Sequence, residues 1–305
     1  MTEKRKVKRL ISEELQKKID TSIRRLKSFE PEEGYYLAFS GGKDSQCIYH
    51  LAKIAGVKFD AHYNVTSVDP PELIYFIREH YPDVIWDYPR DGDGKRITMW
   101  NLIVKKKIPP TRISRYCCSE LKETNGKGRI VVTGVRWAES PRRKANQDVA
   151  TLYGKPKTTK KIADELNLNY RVNKSGAIIM NDDNDLARRM VEQCYRTRKT
   201  LVNPIVDWTE EDVWDFLNDF AGVPHCSLYD EGFKRIGCIG CPLTGADHQK
   251  REFKRWPKYK ENYLRAFNRM LKERQANGFP CDKWPDAETV MKRWLHAPES
   301  NEEET

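Results

Sequence analysis

Residues 35–45 of this chain read Tyr35-Tyr36-Leu37-Ala38-Phe39-Ser40-Gly41-Gly42-Lys43-Asp44-Ser45 and carry the strongest structural signal in the sequence. Residues 35–39 favour a β-strand, and the apolar residues between 47 and 55 recur at helical spacing before a stop at Gly56. The stretch therefore predicts a strand, a glycine turn and a helix. Such a turn directs backbone N–H groups and the positive end of a helix at one point, which favours a bound anion.

The turn itself, residues 40–45, carries groups that suit a phosphate. Its paired glycines let the backbone approach closely, Lys43 adds a positive charge, and Ser40 and Ser45 add hydroxyls. The glycine spacing excludes the G-x-x-x-x-G-K-[ST] loop of the common nucleoside triphosphatases. The alternative interpretation is an ordinary glycine turn that precedes a surface helix.

The turn resembles the PP-loop, S-G-G-K-D-S, of the ATP pyrophosphatase superfamily, whose members cleave nucleotides between the α and β phosphates. The resemblance implies that the chain binds ATP or another adenine nucleotide together with Mg²⁺. It also implies a phosphate cradle formed by Ser40, Gly41, Gly42, Lys43, Asp44 and Ser45. Within this cradle it assigns the catalytic roles to Lys43, Asp44 and Ser45.

The composition describes a polar and basic globular chain. Its 305 residues are 38% hydrophobic and 33% charged, with a net charge of +10 and a pI near 9.1. No apolar run reaches the length of a membrane span, and Met1–Arg9 is basic with no apolar stretch behind it, so we expect a cytoplasmic protein with no membrane partner. The basic balance suits a nucleotide or nucleic-acid partner, and it equally serves solubility.

Strand and helix patterns alternate along the chain, which predicts an α/β fold with a doubly wound parallel sheet. The PP-loop resemblance implies the Rossmann-like, adenine nucleotide alpha hydrolase type, here followed by a helical, Cys-rich C-terminal extension. Further predicted elements are strands at 57–65, 84–86, 129–134 and 177–180, helices at 73–80, 98–106 and 183–199, a basic loop at Lys155–Lys161 and a capping box at Thr209–Asp212. The expected domains are an N-terminal helix over 1–30, a PP-loop domain over 31–245 with an insertion at about 144–200, a helical region over 246–297 and a disordered tail over 298–305.

The chain has eight cysteines and no secretion signal, so clustered cysteines indicate metal binding or chemistry rather than a disulfide framework. Two pairs stand out, the vicinal Cys117-Cys118 and the C-x-x-C pair Cys238 and Cys241. Together they provide four soft ligands, which zinc and a 4Fe–4S cluster both accept. Vicinal cysteines are unusual for structural zinc, and the C-x-x-C pair alone equally suits a redox disulfide.

The cysteine pattern resembles the iron–sulfur members of the 3′-phosphoadenylyl sulfate (PAPS) reductase family. In those members a Cys-Cys-x-x-Leu-Lys segment and a distant C-x-x-C hold a 4Fe–4S cluster, which implies that Cys117, Cys118, Cys238 and Cys241 do so here. Further matching segments are 134–142, 203–214 and 228–238, and the resemblance covers about residues 34–245. It implies phosphate or sulfate contacts from Gly134, Arg136 and Arg142.

Two departures bear on the reaction. The catalytic Glu-Cys-Gly-hydrophobic-His segment of sulfonucleotide reductases is missing, and the C-terminal Cys281 lies in a different context. The long insertion also resembles relatives that adenylate a substrate for sulfur transfer, including the sulfur-inserting component of DNA phosphorothioation systems. The resemblance thus implies cleavage of ATP to pyrophosphate, with a cluster in sulfur transfer and a sulfur-donor or thiol-reductant protein as partner. The alternatives are a PAPS or adenylyl sulfate reductase that uses Cys281, Cys226 or a partner's thiol, and a nucleic-acid-binding module.

Two other features have competing interpretations. Asp69 ends the second predicted strand, where it suits a ribose or a magnesium-bound water, and where it would equally cap the next helix. The C-terminal region interleaves basic and aromatic residues, as a nucleic-acid groove does. We favour the interpretation in which its aromatic residues are buried and its charges remain solvated.

Overall fold

The structure is a computed structural model that describes residues 11–154, 156–194 and 199–295. Its strands are β1 (Tyr35–Ala38), β2 (Phe59–Asn64), β3 (Ile85–Asp87), β4 (Ile130–Val132), β5 (Ala150–Tyr153), β6 (Arg171–Val172), β7 (Ile178–Met180) and β8 (Lys199–Val202). Its α-helices are α1 (Glu13–Ser28), α2 (Lys43–Ala55), α3 (Pro71–His80), α4 (Met99–Lys106), α5 (Tyr116–Leu121), α6 (Pro141–Asn146), α7 (Pro156–Glu165), α8 (Asp185–Cys194), α9 (Glu210–Asp215), α10 (Ala246–Arg255), α11 (Pro257–Ala276) and α12 (Ala287–Leu295).

The strands form one eight-stranded sheet in the order β3-β2-β1-β4-β8-β5-β7-β6. Strands β2, β1, β4 and β8 pair in parallel, which confirms the α/β fold and the parallel sheet around the PP-loop. The insertion changes the rest of the sheet, because β5 pairs antiparallel with β8 and β7, and β6 pairs antiparallel with β7. The sheet is therefore mixed rather than wholly parallel.

The order of the strands explains where a ligand would bind. From β1 the chain moves outward to β2 and β3, and then returns to the other side of β1 as β4. Ligands of open α/β sheets bind beyond the carboxyl ends of the strands where the order reverses in this way. At this point the turn after β4, residues 133–136, meets the first turn of α2 at Asp44.

Three local predictions for the insertion were incomplete or wrong. Residues 156–165 form helix α7 instead of a basic loop, with Thr159 and Ala163 buried one helical turn apart. Helix α8 ends at Cys194, and Lys199 begins strand β8 instead of ending the helix. Strands β5 and β6 were missed because two to four residues carry too little periodicity to identify a strand.

Helix α1, residues 13–28, lies within the N-terminal helix predicted over residues 1–30, while residues 1–10 and the tail predicted at 298–305 lie outside the described residues. Its apolar side is buried through Leu15, Ile19 and Leu26. Arg25 anchors the helix because both guanidinium amino groups donate to the Asp207 carboxylate, at 2.8 and 3.0 Å. A bidentate pair of this kind is among the stronger side-chain contacts in proteins.

The chain divides into two compact units. The first comprises the residues up to Tyr63, Tyr75–Trp86 and Gly126–Gly232, and it contains the PP-loop. The second comprises Asn64–Ile74, Asp87–Asn125 and the residues from Phe233 onwards, and it contains the two cysteine pairs. Throughout the described ranges, each helix is too short or too polar to cross a bilayer.

Candidate functional site

The PP-loop has the predicted strand–turn–helix structure. Strand β1 ends at Ala38, and helix α2 begins at Lys43. The N-cap residue is Gly42, which has an extended backbone and no side chain that could accept a helix N–H. Gly41 has a φ of +72°, a conformation that glycine adopts without steric cost. The first N–H groups of a helix lack partners within the helix, so this turn presents donors to an anion.

The loop hydroxyls are held within the turn. The Ser45 hydroxyl donates to the Gly42 carbonyl at 2.8 Å, and the exposed Ser40 hydroxyl donates to the Ser45 hydroxyl at 3.1 Å. These bonds fix the shape of the turn. The six predicted cradle residues thus form one compact structure at the start of α2.

Two buried cations lie at this turn. Lys43 and Arg136 each keep only 2% of their surface exposed. Arg136 Nε donates to Asp44 at 2.7 Å, and Arg136 Nη2 donates to Glu210 at 2.9 Å. Lys43 Nζ lies 3.3 Å from the other oxygen of Glu210 and 3.9 Å from Asp44. Two positive and two negative side chains therefore alternate beside the glycine turn.

The ionisation of these groups follows from their pairing. Burial acts to lower the pKa of Arg136, but Asp44 and Glu210 hold it above its usual value. Burial acts to raise the pKa of Glu210, but the charge of Lys43 and the hydrogen bond from Arg136 hold it below its usual value. Arg136 and Glu210 are consequently both charged near neutral pH.

Gly134 brings Arg136 to the PP-loop. A Cβ atom at position 134 would lie 2.8 Å from the backbone oxygen of Asp44 and 2.9 Å from its carbonyl carbon, so only glycine lets the two segments approach this closely. Arg142 has a different position, because it is exposed on the short helix α6. The geometry supports phosphate contact from Arg136, and the contact from Arg142 stays a prediction.

Sequence reasoning missed Glu210 and Tyr229 as site residues. Glu210 lies inside the capping box of Thr209 and Asp212, which the structure confirms, and it was interpreted only as part of that box. The Tyr229 hydroxyl accepts a hydrogen bond from the backbone N–H of Lys43 at 2.9 Å. Glu210 and Tyr229 lie in the segments 203–214 and 228–238, which resemble the PAPS reductase family, and that resemblance could have identified them.

The four predicted metal ligands all lie in the second unit. Cys117 and Cys118 are on helix α5, while Cys238 and Cys241 precede helix α10, and all four are free thiols. A hydrogen bond from Cys117 and the guanidinium of Arg115 lower the pKa of Cys118 to about 6, against an opposing effect of burial. Burial and the neighbouring Cys238 raise the pKa of Cys241 to about 11.

The pKa of Cys117 is raised by its hydrogen bond with Cys118 and by burial, and further by the charges of Cys238 and Cys241, so the two pairs lie near each other. Within the described ranges, no group of three or more His, Cys, Asp or Glu side chains is arranged closely enough to hold a metal ion. The donor set nevertheless suits an iron–sulfur cluster, because it offers four thiols. The charge of the Cys238 thiolate raises the pKa of Lys122, so a cationic ammonium lies beside these thiols.

The C-terminal helices hold the C-x-x-C loop in place. The Gly240 N–H donates to Glu252 at 2.8 Å, and the Gln249 amide donates to the Gly240 carbonyl at 3.0 Å. The Tyr263 hydroxyl donates to the Ile239 carbonyl, also at 3.0 Å. Helices α10 and α11 thereby hold the Ile239 and Gly240 backbone between the two cysteines, and the Ile239 N–H donates to the Val68 carbonyl at 2.8 Å.

Asp69 also belongs to the second unit. Its carboxylate accepts hydrogen bonds from the Thr66 backbone N–H at 2.8 Å and from the Thr66 hydroxyl at 2.7 Å. The Tyr259 hydroxyl donates to the Asp69 carbonyl at 2.8 Å. These contacts hold the turn between β2 and α3, and a role toward ribose or magnesium-bound water stays a prediction.

The C-terminal helices separate their aromatic and basic residues. Trp256, Tyr263 and Phe267 are buried, as the packing interpretation predicted. Basic side chains remain exposed at Lys250, Lys254, Lys258, Lys260, Arg265 and Arg269. Those three aromatic rings are therefore unavailable for base stacking, whereas Tyr259 is partly exposed and Phe279 is exposed. A nucleic-acid partner stays a prediction.

Comparisons with known proteins agree with the motifs. Residues 34–244 match the family model described as the phosphoadenosine phosphosulfate reductase domain. An adenosine 5′-phosphosulfate reductase of Oceanobacillus iheyensis is 34% identical over 61 residues, which cover 20% of this chain and 25% of that protein. An uncharacterized protein of Methanocaldococcus jannaschii is 39% identical over 82 residues, which cover 26% of this chain and 18% of that protein.

The matched segments span a quarter or less of the length of these two relatives. A crystal structure of PAPS reductase from Candida auris in complex with phosphate aligns with a TM-score of 0.43 and 15% identity, covering 75% of this chain and 96% of that one. The family model, by contrast, covers more than half of the chain. The chain therefore belongs to the phosphoadenosine phosphosulfate reductase family, a family of enzymes.

Proposed function

We propose that this enzyme binds ATP on the PP-loop and cleaves it between the α and β phosphates for sulfur transfer. The observation that supports this most is the pair of buried cations, Lys43 and Arg136, beside the start of helix α2. Buried cations require anionic partners, and a helix N-terminus adds further positive potential. The turn therefore has the charge and the backbone donors that a nucleotide phosphate needs.

The chemistry assigns a role to each group of the loop. An acceptor oxygen attacks the α-phosphorus, the bond to the bridging oxygen breaks, and pyrophosphate leaves with the electron pair of that bond. Lys43 and the N–H groups of the turn would stabilise the charge that develops on the pyrophosphate. Asp44 orients Arg136 through its 2.7 Å hydrogen bond, and Mg²⁺ would accompany the nucleotide. This reaction needs no cysteine nucleophile.

The cysteine pairs would hold a 4Fe–4S cluster through Cys117, Cys118, Cys238 and Cys241. When bound, that cluster would supply sulfur delivery or electron transfer. The hydrogen bonds that hold the C-x-x-C loop and the positive charges of Arg115 and Lys122 suit a set of four thiolates. Iron and sulfide analysis after anaerobic purification tests this assignment, and colourless protein with stoichiometric zinc would contradict it.

A sulfonucleotide reductase is the second candidate, because relatives such as the one from Oceanobacillus iheyensis are named adenosine 5′-phosphosulfate reductases. That reaction needs an exposed thiolate that attacks the sulfur of the substrate. Cys226 is fully buried, and Cys281 is partly exposed with its sulfur 3.5 Å from the Phe279 carbonyl. A thiol from Cys281 or from a partner protein would have to supply the nucleophile.

One experiment separates the two candidates. Anaerobically purified protein is incubated separately with ATP, adenylyl sulfate and PAPS, with thioredoxin present, and pyrophosphate and sulfite are measured. Pyrophosphate from ATP supports the proposed function, whereas sulfite from a sulfonucleotide without pyrophosphate from ATP would overturn it. The Lys43→Ala variant should lose the activity, while Lys53→Ala, an exposed position on the same helix, serves as the matched control.

A further inference from the structure

Two side chains of the protein itself occupy the position that the proposed function gives to phosphate. The first is Glu210, whose carboxylate places one oxygen 3.3 Å from Lys43 Nζ and the other 2.9 Å from Arg136 Nη2. A phosphate group would present its oxygens to the same two cations in the same way. Glu210 thus acts as an internal counter-ion of the two buried charges.

The second is Tyr229, whose hydroxyl lies on the glycine turn. It accepts the backbone N–H of Lys43 at 2.9 Å, and a Cβ atom at Gly42 would lie only 3.3 Å from the same oxygen. The first N–H groups of a helix are the donors that bind a phosphate at such a turn. One of these donors is therefore already engaged by an oxygen atom of the chain.

Glu210 is free to move away, whereas the cations are not. Its side chain is 56% exposed, and it is the first residue of α9, whose own N-terminus would continue to stabilise the negative charge in water. Lys43 and Arg136 are buried and would still require an anion. Exchange of the carboxylate for a phosphate keeps both cations paired, and Asp44 remains on Arg136 throughout.

We infer that Glu210 and Tyr229 are built-in occupants of the phosphate site, which a nucleotide must displace in order to bind. This inference rests on the proposed function, since it takes the PP-loop as the nucleotide site. It goes beyond that function because it names two residues that set the affinity. The two residues then weaken nucleotide binding by competition, although both lie directly at the site.

The test is a calorimetric titration of the full-length protein with ATP and, separately, with inorganic pyrophosphate. Glu210→Gln removes the competing charge and should tighten ATP binding about tenfold, the size expected for one charge-assisted hydrogen bond. Glu211→Gln removes the same charge from the next, exposed position of α9 and should leave the affinity within twofold of wild type. Circular dichroism checks that both variants are folded.

Tyr229→Phe provides a second measurement that does not alter charge. It frees the Lys43 N–H and keeps the ring against Trp214, so it should tighten ATP binding about threefold. Unchanged or weaker binding in both Glu210→Gln and Tyr229→Phe, with normal binding by wild type, would overturn the inference and leave the proposed function standing. If neither ATP nor pyrophosphate binds to wild type or to any variant, the proposed function fails, and the inference fails with it.

Discussion

The close approach of Gly134 to the PP-loop leads to a prediction that tests the fold and the site together. In the variant Gly134→Ala, the new methyl carbon would lie 2.8 Å from the Asp44 oxygen and 2.9 Å from its carbonyl carbon. Ordinary contacts begin near 3.4 Å, so the two backbone segments must separate by roughly half an ångström. Overpacking of this kind costs about 1–3 kcal/mol of unfolding free energy.

The displacement also has a functional consequence, because Asp44 lies in the first turn of α2 and binds Arg136. We expect Gly134→Ala to weaken ATP binding about tenfold through misplaced donors. Urea denaturation and ATP titration measure the two effects, with Gly92→Ala as the control, since nothing lies within 4 Å of a Cβ there. A Gly134→Ala protein with wild-type urea midpoint and wild-type ATP affinity would refute the reasoning.

Three further predictions concern the supports around the site. Arg25→Met should lower the unfolding free energy in urea by about 1–3 kcal/mol, because it leaves the Asp207 carboxylate without its bidentate donor and removes one of two donors to the Pro204 carbonyl. Equal stability of the variant and the wild type would contradict this. Gly240→Ala places a carbon 2.7 Å from the Phe253 ring at a φ of +75°, so the loop between Cys238 and Cys241 must shift. The variant should therefore contain less iron after anaerobic purification. Gly237→Ala, with nothing within 4 Å of the new carbon, should keep the iron content of wild type. Burial acts to raise the pKa of Asp212, but hydrogen bonds from Lys18 and Thr209 hold it below its usual value. The ionised carboxylate therefore stabilises the folded state, and this stabilisation should be complete above pH about 4 and lost as the pH falls further. The urea midpoint of Asp212→Asn should therefore change less than that of wild type between pH 6 and pH 3.

Much of the fold near the PP-loop could be predicted from sequence, because the relevant signals are local. The strand, the glycine turn and helix α2 follow from the residue types between Tyr35 and Gly56, and the structure confirms them. The capping box at Thr209–Asp212 was equally visible, because its residues are adjacent in the chain. In the insertion, the strands have two to four residues, and so short a segment does not show a hydrophobic period.

Part of the candidate site could likewise be predicted from sequence, and part could not. Its cations and thiols were named from motifs, since the type and spacing of these residues already limit their chemistry. The residues that contact these cations could not be predicted, because Lys43 lies more than 150 positions before Glu210 and Tyr229 in the chain.

Residue types and their short-range spacing are enough to predict the PP-loop, the four paired cysteines and the βα architecture of this chain. Each of these depends on residue type and short-range spacing, which the linear chain contains in full. The folded chain is needed to see that β4 lies beside β1, that Gly134 thereby brings Arg136 to the PP-loop, and that Glu210 pairs with both cations. The physical reason is that strand order and side-chain approach are settled by packing among distant segments, and no local period records which of them will meet.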